Sequence, residues 1–325
     1  RVLFRSLCRL ACQWEPTRRM FGRVLRAIER VIPPNPAIHA FIAGLAPDAL
    51  LVTPLVDWAS DQVHCLKSAD ALGIPSALCV ASWDNLTNKG AVRFTPTRVI
   101  VWNEAQRREA VDLHGVPADR IVVTGAQTFD HWFARTPTRS RQDFLEALGL
   151  DPAERVVLYL GSSFFIAPDE AQFFDRFLRA MRQSSDRAVA NAGVIVRPHP
   201  LNIQQWLAFD FTGLGRVAVF PKSVGSEAFS ESFRGDFFDS LSHADVAIGV
   251  NTSAMIEAGI VGLPVLTVLA QEFRHSQAGT MHFQHLTSEA GGVARTMHDI
   301  PEALTGISEA FDHRQTFAAQ ARRFI

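Results

Sequence analysis

The chain has 325 residues, 47% of them hydrophobic and 20% charged, with a formal net charge of -1, the make-up of a soluble globular protein long enough for two domains. That near-neutral balance removes any global reason to expect nucleic acid, and no apolar run approaches the roughly 18 residues of a membrane-spanning helix. Cys8, Cys12, Cys65 and Cys79 include no CxxC spacing, so neither a zinc ribbon nor a thioredoxin motif is indicated, and a reducing, cytoplasmic location is the simpler expectation.

Residues 1–33 hold eight arginines against two glutamates, interleaved with Leu, Phe, Trp and Val. Such a basic amphipathic segment reads as a surface helix covering the first domain, or as a peripheral contact with the inner face of a membrane. The arginines interrupt every candidate signal-peptide core. The chain opens at Arg1 rather than Met and stops within a helix-like basic stretch, so both ends read as cut.

From residue 48 onward, short apolar strands alternate with helical patterns, the sequence signature of parallel sheets built from βαβ units. Strands are expected at 49–55, 74–81, 97–103 and 120–125, with helices at 57–72 and 104–114. The polar stretch 136–141, TPTRSR, breaks the pattern. A second series follows, with strands beginning near 155, 192, 215, 245 and 263 and helices over 169–182, near 237–243 and from about 253. This predicts two doubly wound, Rossmann-like domains, 1–145 and 146–325. Nothing before residue 48 supplies the strand and Gly-rich turn that would ordinarily open the first, so its first unit is either missing or unusual.

In open α/β sheets ligands bind beyond the carboxyl ends of strands, and the loops there hold the candidate residues. The segment 244–264 reads as a buried strand running into a helix, with Asn251, Thr252 and Ser253 at the junction. The first amides of a helix lack internal partners, so that end suits a diphosphate. Glu257 lies four residues beyond Ser253, one turn along the same face, where a carboxylate could accept from both ribose hydroxyls. An ordinary capped helix with Glu257 on a solvated face would show the same pattern. The strand starting near 155 ends in Gly161, Ser162 and Ser163, and the strand starting near 192 ends in Arg197 and His199, framed by Pro198 and Pro200. These groups suit phosphate, although the serines could merely cap a helix and Arg197 could pair with a surface acid.

In the first half, residues 82–90 crowd Trp83, Asp84, Asn85 and Lys89 into one turn, suggesting sugar or phosphate contact on the acceptor side, or an ordinary Asx-type turn. Asp57 and His64 form a weaker pair. There is no P-loop, Gly213 and Gly215 lack a third glycine, no DxD is present, and His275, His282 and His285 show no firm metal-ligand spacing. Neither a cofactor nor a metal is therefore expected.

Residues 257–277 resemble the donor-site segment of GT-B glycosyltransferases and are similar in spacing to the peptidoglycan-building N-acetylglucosaminyltransferase, in which a Glu spaced as Glu257 is from Gly262 and Pro264 holds the ribose. In that enzyme two glutamines beyond the next strand contact the sugar; the matching positions are Ser276 and Gln277, so only the second is kept. Residues 120–130 resemble the segment closing the first domain in this fold and in the non-hydrolysing UDP-N-acetylglucosamine 2-epimerases. The RPHP sequence at 197–200 is similar to that of the glycerophosphotransferases that build teichoic acids. The resemblance implies a GT-B architecture of two domains facing a cleft. It also implies a bacterial enzyme that moves a sugar from a nucleotide diphosphate sugar to a cell-surface polysaccharide or lipid-linked acceptor without a metal. Ser162, Ser163, Arg197, Asn251, Thr252, Ser253, Glu257 and Gln277 would bind the donor. Asp84 would be the base, with His199 the other catalytic group. An epimerase or glycerophosphotransferase on the same scaffold, and a non-catalytic nucleotide-sugar-binding subunit, are the alternatives.

Overall fold

A computed structural model describes residues 14–57, 60–222 and 230–324. The chain divides into two compact units, Arg1–Gln127 and Thr128–Ile325. Cys8 and Cys12 lie outside the described residues, while Cys65 and Cys79 are free thiols.

The first unit begins with α1 (Glu15–Val31) and α2 (Pro36–Leu45), then runs β1 (Leu50–Val52), α3 (Gln62–Ala71), β2 (Ser76–Cys79), α4 (Asn85–Asn88), β3 (Arg98–Val101), α5 (Glu104–Asp112) and β4 (Ile121–Val123). Its strands form a parallel sheet in the order β1-β2-β3-β4, with Leu51 opposite Ala77, Leu78 opposite Val99 and Ile100 opposite Val122. Helix α3 stops where Gly73 takes a φ of +70°, a left-handed turn that a residue with a Cβ resists. The core gathers Val52, Leu66, Leu78, Val99, Val101 and Ala110.

Helix α1 departs from the expected surface helix in one respect: it lies on its unit by the polar side. Glu29 pairs with Lys67 at 2.6 Å and Arg93 at 3.3 Å, and Arg26 reaches the His114 carbonyl at 3.5 Å. Phe21, Val24, Leu25, Ile28 and Val31 form an exposed apolar stripe on the other side. Among the described residues no helix is long and apolar enough to cross a membrane.

The second unit contains α6 (Asp130–Phe133), α7 (Arg141–Ala147), β5 (Val156–Leu160), α8 (Glu170–Arg182), α9 (Arg187–Asn191), β6 (Gly193–Arg197), α10 (Gln204–Leu207) and β7 (Val217–Val219). It continues with α11 (Glu231–His243), β8 (Val246–Gly249), α12 (Ala254–Ile260), β9 (Val265–Val268), α13 (Met281–Leu286), β10 (Arg295–Met297), α14 (Ile300–Asp312) and α15 (Arg314–Phe324). All strands are parallel, in the order β10-β9-β8-β5-β6-β7. Strands β5, β6, β8 and β9 are buried along their whole lengths, as expected of a parallel sheet covered on both faces. Tyr159, Phe174, Phe177 and Trp206 form the aromatic centre of the core.

The compact units divide ahead of the expected 145/146 boundary. The polar stretch 136–141 is tied to the second unit: Asp239 of α11 accepts from the Thr138 amide and hydroxyl, both at 2.7 Å, and from Arg139 Nε at 2.9 Å. Phe144 of α7 is fully buried against Phe220 and His243.

Candidate functional site

Strand order decides where the second unit can hold a ligand. From β5 the chain proceeds outward through β6 and β7, then returns to place β8 on the opposite side of β5, so the order reverses between β5 and β8. Ligands of open α/β sheets bind beyond the carboxyl ends at such a reversal. Glycines let the strand ends come close together there: a Cβ on Gly249 would lie 2.4 Å from the Leu160 carbonyl oxygen, and one on Gly161 3.1 Å from that of Arg197.

A cavity of about 400 Å³ occupies this position. The β5 end contributes Leu160 and Gly161, the β6 end Arg197 and His199, and the β8–α12 junction Thr252, Ser253 and Glu257. Helix α11 adds Phe233, Arg234 and Phe237, and Thr128, His131 and Trp132 come from α6 and the turn before it.

Arg197 is 5% exposed and sits among three aromatic rings, 5.1 Å from Phe220 and Phe237 and 5.4 Å from Phe233. Its polar contact is a long one, 3.5 Å to Ser240 Oγ, and among the described residues no carboxylate lies within ion-pair distance. Burial lowers its pKa to about 9, against the pull of the more distant Asp236, so it remains a cation at neutral pH. A buried guanidinium with no carboxylate partner among the described residues is costly unless an anion completes it.

His199 accepts the Leu201 amide at Nδ1, 3.1 Å, and burial lowers its pKa. The neutral ring therefore carries its proton on Nε2. Half-buried Glu257 has its pKa raised to about 7 by burial, and the nearby Trp132 indole opposes that rise. Trp132 is held by stacking on Phe238 at 5.7 Å and by an edge contact with Phe237 at 5.6 Å. At the α12 start Ser253 is exposed and caps no amide, whereas the Thr252 hydroxyl accepts the Ala254 amide at 3.4 Å.

The structure thus brings Arg197, His199, Thr252, Ser253 and Glu257 around one cavity, and it removes other expected groups from it. Ser162 is fully buried: its amide donates to Glu170 at 2.7 Å, and its hydroxyl donates to Glu170 at 3.1 Å while accepting the Asn251 amide at 3.2 Å. Ser163 closes a turn, its carbonyl accepting the Ile166 and Ala167 amides. Asn251 is 3% exposed, with both side-chain amide atoms buried and unpartnered. Gln277 is fully buried and clamps the fold: its amide nitrogen donates to the Val250 and Val268 carbonyls, both at 2.7 Å, and its oxygen accepts the Ala270 amide at 3.2 Å.

Trp83, Asp84, Asn85 and Lys89 lie in the first unit, after β2. Asp84 accepts from Ser82 Oγ at 2.6 Å and faces Lys89 at 3.6 Å. Asn85 is buried and ties the Val56 carbonyl at 2.7 Å and the Ala81 amide at 3.3 Å, so its amide serves the turn. Asp57 lies in the loop after β1 and His64 within α3, and the His64 ring accepts the Asn35 amide at 3.3 Å. Among the described residues no cluster of three or more His, Cys, Asp or Glu side chains could hold a metal.

The cavity residues that sequence reasoning missed are Thr128, His131, Trp132, Phe233, Arg234 and Phe237. Their one signal is aromatic density, in FDHWF at 129–133 and SFRGDFF at 232–238, which is equally a core pattern.

No protein-family model matches the chain, and neither does any curated protein. Solved structures do. Similarity to the UDP-GlcNAc 2-epimerase of Neisseria meningitidis bound to UDP-GlcNAc covers 88% of this chain and 74% of that one, at 11% identity and a TM-score of 0.56. A putative UDP-N-acetylglucosamine 2-epimerase from Listeria monocytogenes aligns over 88% and 72%, at 15% identity and 0.56. Anabaena HepE, in complex with UDP and glucose, aligns over 88% and 74%, at 16% identity and 0.54. The chain has the GT-B fold. At these identities the likeness establishes the fold alone.

Proposed function

We propose that the chain is a nucleotide-sugar enzyme of GT-B type, a glycosyltransferase that moves a sugar from a nucleotide diphosphate sugar to a cell-surface polysaccharide or lipid-linked acceptor. The observation that carries this reading is Arg197, a buried guanidinium without a carboxylate partner among the described residues, on the wall of a cavity at the strand-order reversal. A diphosphate supplies the missing anion. As the bond to the sugar breaks, negative charge grows on the leaving diphosphate. In this reading Arg197, the His199 Nε2 proton and the Thr252–Ser253 turn, which line one cavity, meet that charge, and no metal is required. Glu257, in the same cavity, accepts from the ribose hydroxyls. Asp84 remains the proposed base, and His199 is proposed for proton delivery or charge stabilisation.

Incubation with UDP-GlcNAc, with and without a membrane fraction as acceptor, tests the reaction. Acceptor-dependent release of UDP supports transfer. Appearance of the 2-epimer without acceptor would reassign the chain to epimerisation. Absence of any thermal shift with UDP or CDP would refute the nucleotide site itself.

A further inference from the structure

A second cavity, of about 470 Å³, lies at the same carboxyl edge of the second sheet. One wall is the loop after β5, with Phe164, Phe165 and Asp169; the other is the loop after β9, with Glu272 and Ser276; α8 closes it with Gln172, Phe173 and Arg176. Neighbouring Phe164 and Phe165 are 44% and 72% exposed, with ring centroids 3.8 Å apart. Adjacent large aromatics exposed on a loop that roofs a cavity are more than scattered surface apolars.

The cavity is braced. Ser276 Oγ donates to the Ile166 carbonyl at 2.6 Å, joining the two loops, and the Asn202 side-chain amide donates to the Ser162 and Ala167 carbonyls, both at 3.1 Å. Arg176 pairs with Glu272 and lies 5.7 Å from the Phe173 ring, placing charge along the rim. Asp169, Gln172 and Glu272 offer acceptors or donors at the rim, and the aromatic rings offer flat apolar faces.

From this geometry we infer that the second cavity is a carbohydrate subsite in which a pyranose ring lays its C–H face on Phe164 and Phe165 and turns its hydroxyls to Asp169, Gln172 and Glu272. A ring with an apolar face and a hydroxyl perimeter matches both surfaces, whereas the charged rim disfavours an acyl chain. Gly161 lines the first cavity and Phe164 the second, so the three intervening peptide links separate them by at most about 11 Å of chain. A sugar joined to a diphosphate in the first cavity, or an acceptor sugar approaching it, could reach the aromatic pair. The inference rests on the nucleotide-sugar reading for its link to the first cavity, and on the second cavity alone for its chemistry.

Saturation-transfer NMR on the whole chain tests it, irradiating aromatic protons and observing the ring protons of UDP-glucose and of methyl β-D-glucopyranoside. Wild-type protein is expected to transfer saturation to the glucose ring of at least one probe, and the Phe164→Ala/Phe165→Ala variant to lose that transfer and bind that probe about threefold to tenfold more weakly. Transfer to UDP-glucose alone makes the ring the donor's; transfer to the free glycoside makes it an acceptor's. The double variant should bind UDP as tightly as wild type. Absence of transfer to either sugar, or transfer that survives the double substitution, overturns the subsite. If UDP binds while the sugars show nothing, the subsite alone fails; if UDP does not bind, the nucleotide reading fails and the glycoside result still decides the subsite.

Discussion

Glu170→Gln should flatten the pH dependence of stability, because Glu170 is a fully buried carboxyl hydrogen-bonded to Ser162 and Tyr159. It accepts from the Ser162 amide at 2.7 Å, and from Ser162 Oγ and Tyr159 Oη, both at 3.1 Å. Burial raises its pKa from 4.5 to about 7, against the pull of those donors. The folded state therefore keeps a proton that the unfolded state has lost between pH 4.5 and about 7, so Glu170's favourable contribution is present below 4.5 and disappears as pH rises through about 7. At 1.36 kcal/mol per pKa unit, the interval from 4.5 to about 7 is worth about 3 kcal/mol. Glutamine never ionises, and it turns its –NH2 toward a donor, at a cost of about 1 kcal/mol. Urea unfolding followed by tryptophan fluorescence should find the variant within about 0.5 kcal/mol of wild type at pH 5 and about 2 kcal/mol more stable at pH 8.5. Glu257, also raised to about 7, contributes a slope of the same sign in both proteins and leaves the difference intact. Curves that run parallel from pH 5 to 8.5 would show that Glu170 is ionised in the folded protein and refute the argument.

Removing the guanidinium in Arg197→Ala should weaken UDP binding about 10-fold to 100-fold by calorimetry, the range for a charge-assisted contact, and an unchanged affinity would deny Arg197 the phosphate role. Because Glu257 must be ionised to accept from both ribose hydroxyls and its pKa is about 7, wild-type affinity should rise between pH 6 and 8 more steeply than that of Glu257→Gln. Equal slopes would remove Glu257 from the site. Peripheral membrane contact is expected through the stripe of α1: Leu25→Glu with Ile28→Glu should abolish co-sedimentation with anionic vesicles, and wild-type protein that stays in the supernatant would rule this contact out.

Most of the fold was legible because parallel sheets buried on both faces leave near-continuous apolar runs. RVVLYL, GVIVR and DVAIG needed no tertiary information to be read as strands. Helix α11 was read only in its second half, since its start at Ser230–Glu231 is polar and the apolar spacing becomes clear near Phe237. The polar composition of TPTRSR breaks the periodic pattern, but the sequence does not show that Asp239, about 100 residues on, binds its backbone and side chains.

The candidate site divides along the same line, between what a strand end must be and what its side chains do. The sheet order places the residues after β5, β6 and β8 at one edge, so Gly161, Arg197 and Thr252 had to converge whatever their roles. Which way each side chain turns depends on partners distant in sequence. Ser162 turns inward because Glu170 supplies its hydrogen-bond partner, and Gln277 because the Val250 and Val268 carbonyls need a donor. Arg197 has no such carboxylate partner among the described residues and stays beside the cavity within its cage of phenylalanines. An unmet charge is therefore a better guide to the site than residue type: serine, asparagine and glutamine can be satisfied by backbone alone, whereas a buried guanidinium needs an anion.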